Sequence, residues 1–232
     1  HATLGLKLTG TAQTPVWSSS DESVATVSST GVVTAVGVGR AVIYADIASK
    51  SFSAQIRCFL PETGSPQTLT RGEWIAELLG SLGVTEITAP ADLDYIWHFA
   101  DAEGTTYGYA AELAYTLGIL PDVVDPADVP VFGADEPATR EFAALTAVNA
   151  ARFNTDNVAA LDCADAATLA YPQHDALAVE QGFLRLDADS NFAPSGAMTT
   201  SDSQQIQQAR GSLIASTVVE AGEEGENITS AP

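Results

Sequence analysis

Residues 1–60 alternate apolar and polar side chains with a period of two. The alternation runs through short stretches rich in β-branched residues at 24–27, 31–36, 40–45 and 52–58. Turn-forming residues separate these stretches at short intervals. A period of two places successive side chains on opposite faces of a strand, and frequent turns favour antiparallel neighbours. The pattern therefore predicts a β-sandwich over residues 1–60.

The period becomes helical after residues 61–67, which we interpret as a linker because proline, glycine and polar residues dominate them. Thr70 and Glu73 have the spacing of a capping box, in which each side chain accepts a hydrogen bond from the other residue's backbone N–H. An apolar stripe follows at helical spacing, formed by Ile75, Leu78, Leu79 and Leu82. Gly83 then stands where a left-handed residue commonly ends a helix. The pattern predicts a helix from about residue 71 to residue 82.

Similar helix starts recur further along the chain, at 138–145 and 198–206. Weaker second helices and turns are predicted between and after them, at 107–120, 131–137, 175–184 and 191–196. Repetition of this kind is typical of structures built from equivalent units. We therefore predict three helical units over residues 68–216, followed by an acidic tail at 217–232.

The first part of the chain carries the motifs of a bacterial family. They occur in the order Val-Trp-Ser at 16–18, Val-Ala-Thr-Val at 24–27, Gly-Val-Val-Thr-Ala at 31–35 and Gly-Val-Gly-Arg-Ala-Val-Ile at 37–43. This order closely resembles the bacterial Ig-like group 2 family, with a short or absent first strand. The resemblance implies an extracellular structural or adhesive module without catalysis.

Residues 66–215 resemble the S-layer homology family, whose repeat begins with a Thr-Arg-Ala-Glu-Phe-like helix start and ends in a Phe-x-Pro turn. Thr70, Arg71 and Glu73 match that start. The resemblance implies a pseudo-threefold bundle whose motif arginines line grooves that hold an anionic, pyruvylated cell-wall polysaccharide. The expected fold is therefore multidomain β + α, an Ig-like β-sandwich followed by a mainly helical pseudo-threefold bundle.

The later helix starts depart from the family motif. When Glu141 and Phe142 are aligned with it, one residue is missing after Arg140. Since successive helical residues are rotated by about 100°, this alignment predicts that Arg140 points one step away from the expected direction. Thr200 stands where the third arginine would be. Only the first of the three grooves would then have all the motif residues that the family uses for binding.

The resemblance gives a set of candidate polysaccharide contacts, namely Arg71, Glu73, Trp74, Arg140 and Glu141. Arginine suits this role because its planar guanidinium can hold two carboxylate oxygens at once. Three of these residues also have a purely structural interpretation. Arg71 and Arg140 can pair with neighbouring acids, and Glu73 can be a helix cap without contacting a ligand.

Aromatic residues cluster in the first helical unit, namely Trp74, Tyr95, Trp97, Tyr107 and Tyr109. An aromatic ring can stack on a sugar ring while its polar tip remains in water. For any one of these residues, however, we favour a place in the interior of the bundle.

Composition excludes several classes of partner. The chain has 30 acidic and nine basic residues, for a net charge of −21. Nucleic acids and anionic membranes bind clustered lysine and arginine, so neither is expected as a partner. No apolar run is long enough for insertion into a membrane. Histidines and cysteines lack metal-ligand spacing, and no nucleophile or phosphate-loop motif is present, so we expect no enzyme, no metal and no cofactor.

We therefore expect a non-catalytic, extracellular and cell-wall-associated module that contacts cell-wall polysaccharide through its helical repeats, with the Ig-like part as a spacer. The alternative is a structural or adhesive surface module that has lost sugar binding and whose partner is a surface protein. Because the chain opens at His1 without a leader-like segment, we also expect it to be a piece of a longer protein.

Overall fold

The fold is that of a computed structural model, and the residues it describes are 2–10, 13–48, 50–60, 66–89, 96–121 and 130–226, with side chains up to 213. The chain divides into two compact units. One comprises residues 1–61 together with 208–232, and the other comprises residues 62–207. The predicted linker at 61–67 is described only at residues 66 and 67.

Among its described residues, the first unit has six strands in two antiparallel three-stranded sheets. The first sheet has the order β1-β4-β3 and contains β1 (Thr3–Gly5), β3 (Ala25–Val27) and β4 (Val32–Ala35). The second has the order β2-β5-β6 and contains β2 (Val16–Ser19), β5 (Gly39–Ile47) and β6 (Lys50–Cys58). The predicted strands are therefore present, and β1 is as short as expected.

Alternation along the strands places the apolar side chains in one interior. The buried cluster consists of Val24, Ala25, Val33, Ala41, Ile43 and Cys58. Trp17 is partly buried and packs against this cluster. The indole thus contributes to the core of the sandwich.

The residues described after the sheets form five α-helices, namely α1 (Arg71–Ser81), α2 (Gly108–Thr116), α3 (Arg140–Ala150), α4 (Pro172–Glu180) and α5 (Thr200–Glu226). A short 3₁₀ turn lies at Ala166–Thr168. Residues 217–226 of the predicted acidic tail continue α5, which ends at Glu226. Residues 227–232 of the predicted tail lie outside the described residues.

The predicted start and end of α1 are confirmed. The backbone N–H of Thr70 donates to Glu73 Oε2 at 2.8 Å, and the N–H of Glu73 donates to Thr70 Oγ1 at 3.2 Å. Gly83 has a φ of +83°, the left-handed conformation that ends the helix.

The three segments that lead into α1, α3 and α5 form a closed ring of hydrogen bonds. We call residues 68–70, 137–139 and 197–199 the start segments. Around the ring, Ala138 N donates to Leu69 O at 2.9 Å, Met198 N to Ala138 O at 2.8 Å, and Leu69 N to Met198 O at 3.0 Å. The three central side chains are all buried. The helix starts thus have a pseudo-threefold arrangement.

The ring also fixes which residues are equivalent at the three helix starts. The backbone N–H of Arg71 donates to Glu136 O, that of Arg140 to Gly196 O, and that of Thr200 to Gln67 O, each at 2.8 Å. Each acceptor directly precedes the next start segment. Arg71, Arg140 and Thr200 are therefore the first residues of equivalent helices.

The predicted rotation of Arg140 away from the direction of Arg71 is accordingly wrong. Thr139 caps α3, because its Oγ1 accepts the backbone N–H of Phe142 at 3.1 Å. This cap makes Arg140 the first helical residue, and Phe142, rather than Glu141, takes the position of Glu73. The capping threonine sets the register of the helix, so no residue is missing.

Two glycines provide a test of how tightly the helical unit is packed. A Cβ on Gly108, at the start of α2, would lie 1.8 Å from the carbonyl oxygen of Ala102. We expect Gly108→Ala to lower the free energy of unfolding by about 1–3 kcal/mol, because the loop before α2 must move. Gly80, in α1, has no atom within 4 Å of the same added methyl group. Gly80→Ala should therefore raise stability by about 0.5–1 kcal/mol through helix propensity.

Urea unfolding followed by far-UV circular dichroism would compare the two variants with the wild type. Because both changes add one methyl group to a glycine, Gly80→Ala controls for the loss of backbone freedom. Equal effects of the two substitutions would contradict the close approach at Gly108.

Candidate functional site

A groove of about 390 Å³ opens beside the side chain of Arg71. We call it the Arg71 groove. Four aromatic residues are among its lining residues, namely Phe99, Phe132, Phe142 and Tyr171. Glu136 and Glu141 also line it. The groove therefore combines one cation, apolar ring surfaces and two carboxyl groups.

Two aromatic rings hold the guanidinium of Arg71 in place. Its ζ carbon lies 5.2 Å from the centroid of Phe132 and 4.6 Å from that of Phe142. Both distances are within the range of cation–π attraction. The arginine side chain is 28% exposed, so the charge is partly desolvated but still reachable.

The hydrogen-bonding capacity of Arg71 is only partly used. Nη1 lies 3.6 Å from Oε2 of Glu136, whose side chain is 69% exposed, which makes a weak ion pair. Nε is buried and has no hydrogen-bond partner among the described residues. Burial lowers the pKa of the Arg71 guanidinium, and the nearby carboxylates of Glu136 and Asp101 counteract the shift. An arginine remains protonated under such conditions, so a partly exposed cation lines the groove and keeps one buried donor without a partner among the described residues.

Arg140, the equivalent residue of α3, lies in a different environment. Nε donates to Phe192 O at 2.9 Å, Nη2 to Arg185 O at 2.6 Å and Nη1 to Asp202 Oδ1 at 3.3 Å. The arginine side chain is only 16% exposed. All three nitrogens therefore have internal acceptors, as the ion-pair interpretation of Arg140 requires.

Trp74, a predicted ligand contact, is part of the interior instead. The residue is 0% exposed, and its indole N–H donates to Thr146 Oγ1 of α3 at 2.8 Å. An equivalent contact joins α5 to α1. Ser203 of α5 has the position of Trp74, and its hydroxyl donates to the carboxylate of Glu77, which has the position of Thr146. A fully enclosed ring cannot stack on a sugar, so the prediction for Trp74 is wrong.

Glu73 has the capping role that was its alternative interpretation, and it does not line the Arg71 groove. Tyr107 packs against Gly72, where an added Cβ would meet its ring at 2.5 Å. Tyr95, another of the candidate aromatics, lies outside the described residues. The aromatic residues that do line the groove, Phe99, Phe132, Phe142 and Tyr171, were not among the sequence candidates. Phe132 and Phe142 stood in the predicted turn and helix start, which is the signal that could have identified them.

Glu141 lines the groove and is also held by the backbone. Its Oε1 accepts the N–H of Ala170 at 2.5 Å and that of Tyr171 at 3.2 Å. Glu141 thus fixes the chain segment that carries Tyr171 to the groove. A direct contact between Glu141 and a ligand stays a prediction.

A second carboxyl group, Asp175 of α4, is buried near Glu141. It is 0% exposed, and neither oxygen has a hydrogen-bond donor among the described residues. Burial, with the charges of Glu141 and Asp165, raises the pKa of Asp175 to about 8. A protonated Asp175 can donate a hydrogen bond to the Glu141 carboxylate. Sequence reasoning missed this residue, because an acid in the first turn of a helix usually lies at the surface.

The described part of the chain gives no sign of two further kinds of site. Within it, no group of three or more histidine, cysteine, aspartate or glutamate side chains is arranged to hold a metal ion. None of its helices is both long enough and apolar enough to cross a membrane. Cys58 and Cys163 are both free thiols.

Comparison with known proteins bears on the first unit. No curated protein matches the chain. A family model does match residues 6–55, which include β2 to β5 and most of β6. Domains of that family are typical of surface and extracellular proteins and are generally non-catalytic. Residues 6–55 therefore form a bacterial surface module that matches the bacterial Ig-like domain (group 2) family.

Proposed function

We propose that this protein is a non-catalytic surface module that binds an anionic cell-wall polysaccharide in the Arg71 groove, with the Ig-like module as a spacer. The observation that carries the proposal is the state of Arg71. Its guanidinium lies near two aromatic rings, is partly buried, and has an Nε donor without a partner in the described part of the chain. The resemblance of Thr70, Arg71 and Glu73 to the S-layer homology motif supports the same groove.

The chemistry of the groove suits a carboxylate-bearing sugar. A planar guanidinium can donate two parallel hydrogen bonds to one carboxylate. The exposed ring of Tyr171 and the partly exposed ring of Phe142 offer apolar surface for the face of a sugar ring. A hydrogen bond to a charged group contributes about 1.5–3 kcal/mol, so one arginine can decide whether a polymer unit binds.

The net charge of the protein restricts how such a ligand can be attracted. Residues 1–60 contain three acidic and four basic residues, so the excess of acid belongs to the rest of the chain. An anionic polymer is therefore repelled at long range, although salt screens exposed charges beyond about 8 Å at physiological ionic strength. Binding must come from local contacts with Arg71 rather than from electrostatic steering.

We predict that Arg71→Ala weakens binding to purified bacterial cell walls by about 10- to 100-fold, the factor that corresponds to one charge-assisted hydrogen bond. Arg71→Lys should give an intermediate loss, because lysine keeps the charge but not the planar pair of donors. The measurement is a sedimentation pull-down with walls before and after removal of their secondary polysaccharide.

Arg152→Ala is the matched control. It also removes one positive charge, but Arg152 does not line the groove and its Nη2 donates to Leu117 O. This variant should bind walls as the wild type does. Equal binding by the wild type and Arg71→Ala, or equal binding to intact and stripped walls, would contradict the proposal.

The second candidate function is a structural or adhesive module whose partner is a surface protein. It is favoured by the two other helix starts, since Arg140 has internal partners and Thr200 replaces the third arginine. Absence of wall binding by the intact chain, across walls from a panel of bacteria, would support this candidate.

A further inference from the structure

We infer that Asp202 is a built-in anion that occupies Arg140, and that the residue at this helix position decides which groove accepts an external carboxylate. The inference rests on the proposed function of the Arg71 groove, and it assigns the difference between two equivalent grooves to one side chain in each.

The two arginines have matching frameworks. Each is the first residue of its helix, and each backbone N–H donates to the carbonyl oxygen that precedes the next start segment at 2.8 Å. Each guanidinium also lies over a phenylalanine from the turn that leads into the next start segment. The ζ carbon of Arg71 is 5.2 Å from the ring centroid of Phe132, and that of Arg140 is 5.5 Å from the ring centroid of Phe192. These shared contacts cannot explain why one arginine is free and the other is not.

The difference lies in the third residue of the following helix. For Arg71 this residue is Phe142, whose ring centroid is 4.6 Å from the ζ carbon. For Arg140 it is Asp202, whose Oδ1 is 3.3 Å from Nη1. A neutral ring leaves the charge of Arg71 available, whereas a carboxylate neutralises Arg140.

Asp202 is held in the position from which it reaches Arg140. Its Oδ2 accepts the backbone N–H of Thr199 at 3.0 Å and the Thr199 hydroxyl at 2.7 Å. A carboxylate fixed in this way competes with a dissolved one as an intramolecular partner, at a high effective concentration.

Space for a ligand remains beside Arg140. A groove of about 720 Å³ is lined by Arg140, Arg185, Asn191, Phe192, Thr199 and Asp202, among others. The Arg140 groove therefore has room for an anion, although Asp187 lines it together with Asp202. Removal of the Asp202 charge should free Nη1 of Arg140, whereas Nε and Nη2 keep their carbonyl acceptors.

The test uses the full chain with ¹⁵N-labelled arginine, titrated with sodium acetate while the Nε–Hε signals are followed by NMR. In the wild type, the Arg71 signal should shift with acetate and the Arg140 signal should not. Asp202→Asn keeps an oxygen for the Thr199 cap and removes the charge, so the Arg140 signal should then respond as well. Phe142→Asp places a carboxylate beside Arg71 and should make its signal at least tenfold less sensitive to acetate.

Wall binding provides the second measurement. Addition of Asp202→Asn to the Arg71→Ala protein should restore binding by about tenfold, because a second groove has become available. Far-UV circular dichroism checks that each variant is folded. Ser201→Ala, a neutral change among the residues that line the same groove, is the control and should restore nothing.

The outcomes separate this inference from the proposed function. If walls do not bind but acetate reaches Arg140 only in Asp202→Asn, the inference stands and the polysaccharide proposal fails. If walls bind through Arg71 but Arg140 stays silent in folded Asp202→Asn, or already responds in the wild type, the inference is overturned.

Discussion

Trp74→Ala is expected to destabilise the helical unit by about 3–5 kcal/mol, the usual cost of deleting a large buried aromatic side chain. Trp74 is the largest fully buried side chain among the described residues. Its indole also provides the hydrogen bond from α1 to Thr146 of α3. The substitution therefore leaves both a cavity and a lost contact between two helix starts.

Trp74→Phe separates these two contributions. It keeps most of the apolar volume but removes the N–H donor, so we expect a loss of about 1–2 kcal/mol. Urea unfolding followed at 222 nm reports mainly on the helices and gives both values. A loss below 1 kcal/mol in Trp74→Ala, together with weakened wall binding, would contradict the buried position and restore Trp74 as a ligand contact.

The β-sandwich could be predicted from sequence because residues that are close together in the chain specify its strands and turns. Strands of period two, separated by turns, place their own apolar side chains on one face. The same holds for α1, whose capping box and terminal glycine lie within a few residues of each other. Each of these features is specified by neighbours in the chain, so no long-range knowledge was needed.

The ring of start segments is not visible in the sequence. Leu69, Ala138 and Met198 share no residue type, yet each donates to and accepts from a segment roughly 60 or more residues away. The contact depends on backbone atoms, which every residue type supplies. Only the repetition of the helix starts indicated that three equivalent segments exist.

Arg71 is identifiable from its motif alone. The register of Arg140 depends on the capping threonine, and an alignment on the Glu-Phe pair shifts it by one residue. The decisive contrast between Phe142 and Asp202 requires knowing that the helix starts face each other across a groove. Buried Asp175 could not be recognised, since its position depends on packing of α4 against α3.

Asp175 leads to the second prediction with a large effect, a loss of stability as the pH rises from about 4 to about 8. Burial, with Glu141 and Asp165 nearby, raises the pKa of Asp175 to about 8 in the folded protein. In the unfolded chain an aspartate titrates near pH 4. Between these values the folded state holds a proton that the unfolded state has lost, so stability is greatest below pH 4 and declines until Asp175 ionises. A change of the pKa from about 4 to about 8 corresponds to about 5–6 kcal/mol across the window.

Asp175→Asn removes the titration but keeps a donor that can face the Glu141 carboxylate. We expect the variant to lose less stability than the wild type between pH 5 and pH 8, and to be the more stable of the two at pH 8. Urea unfolding at each pH gives the difference in the free energy of unfolding between variant and wild type. The titration of the other groups cancels in this difference. Asp189→Asn is the control, because the substitution removes the same charge from an exposed position. If the two variants show the same pH dependence, Asp175 does not hold its proton in the folded protein at pH 5 to 8, and the raised pKa is contradicted.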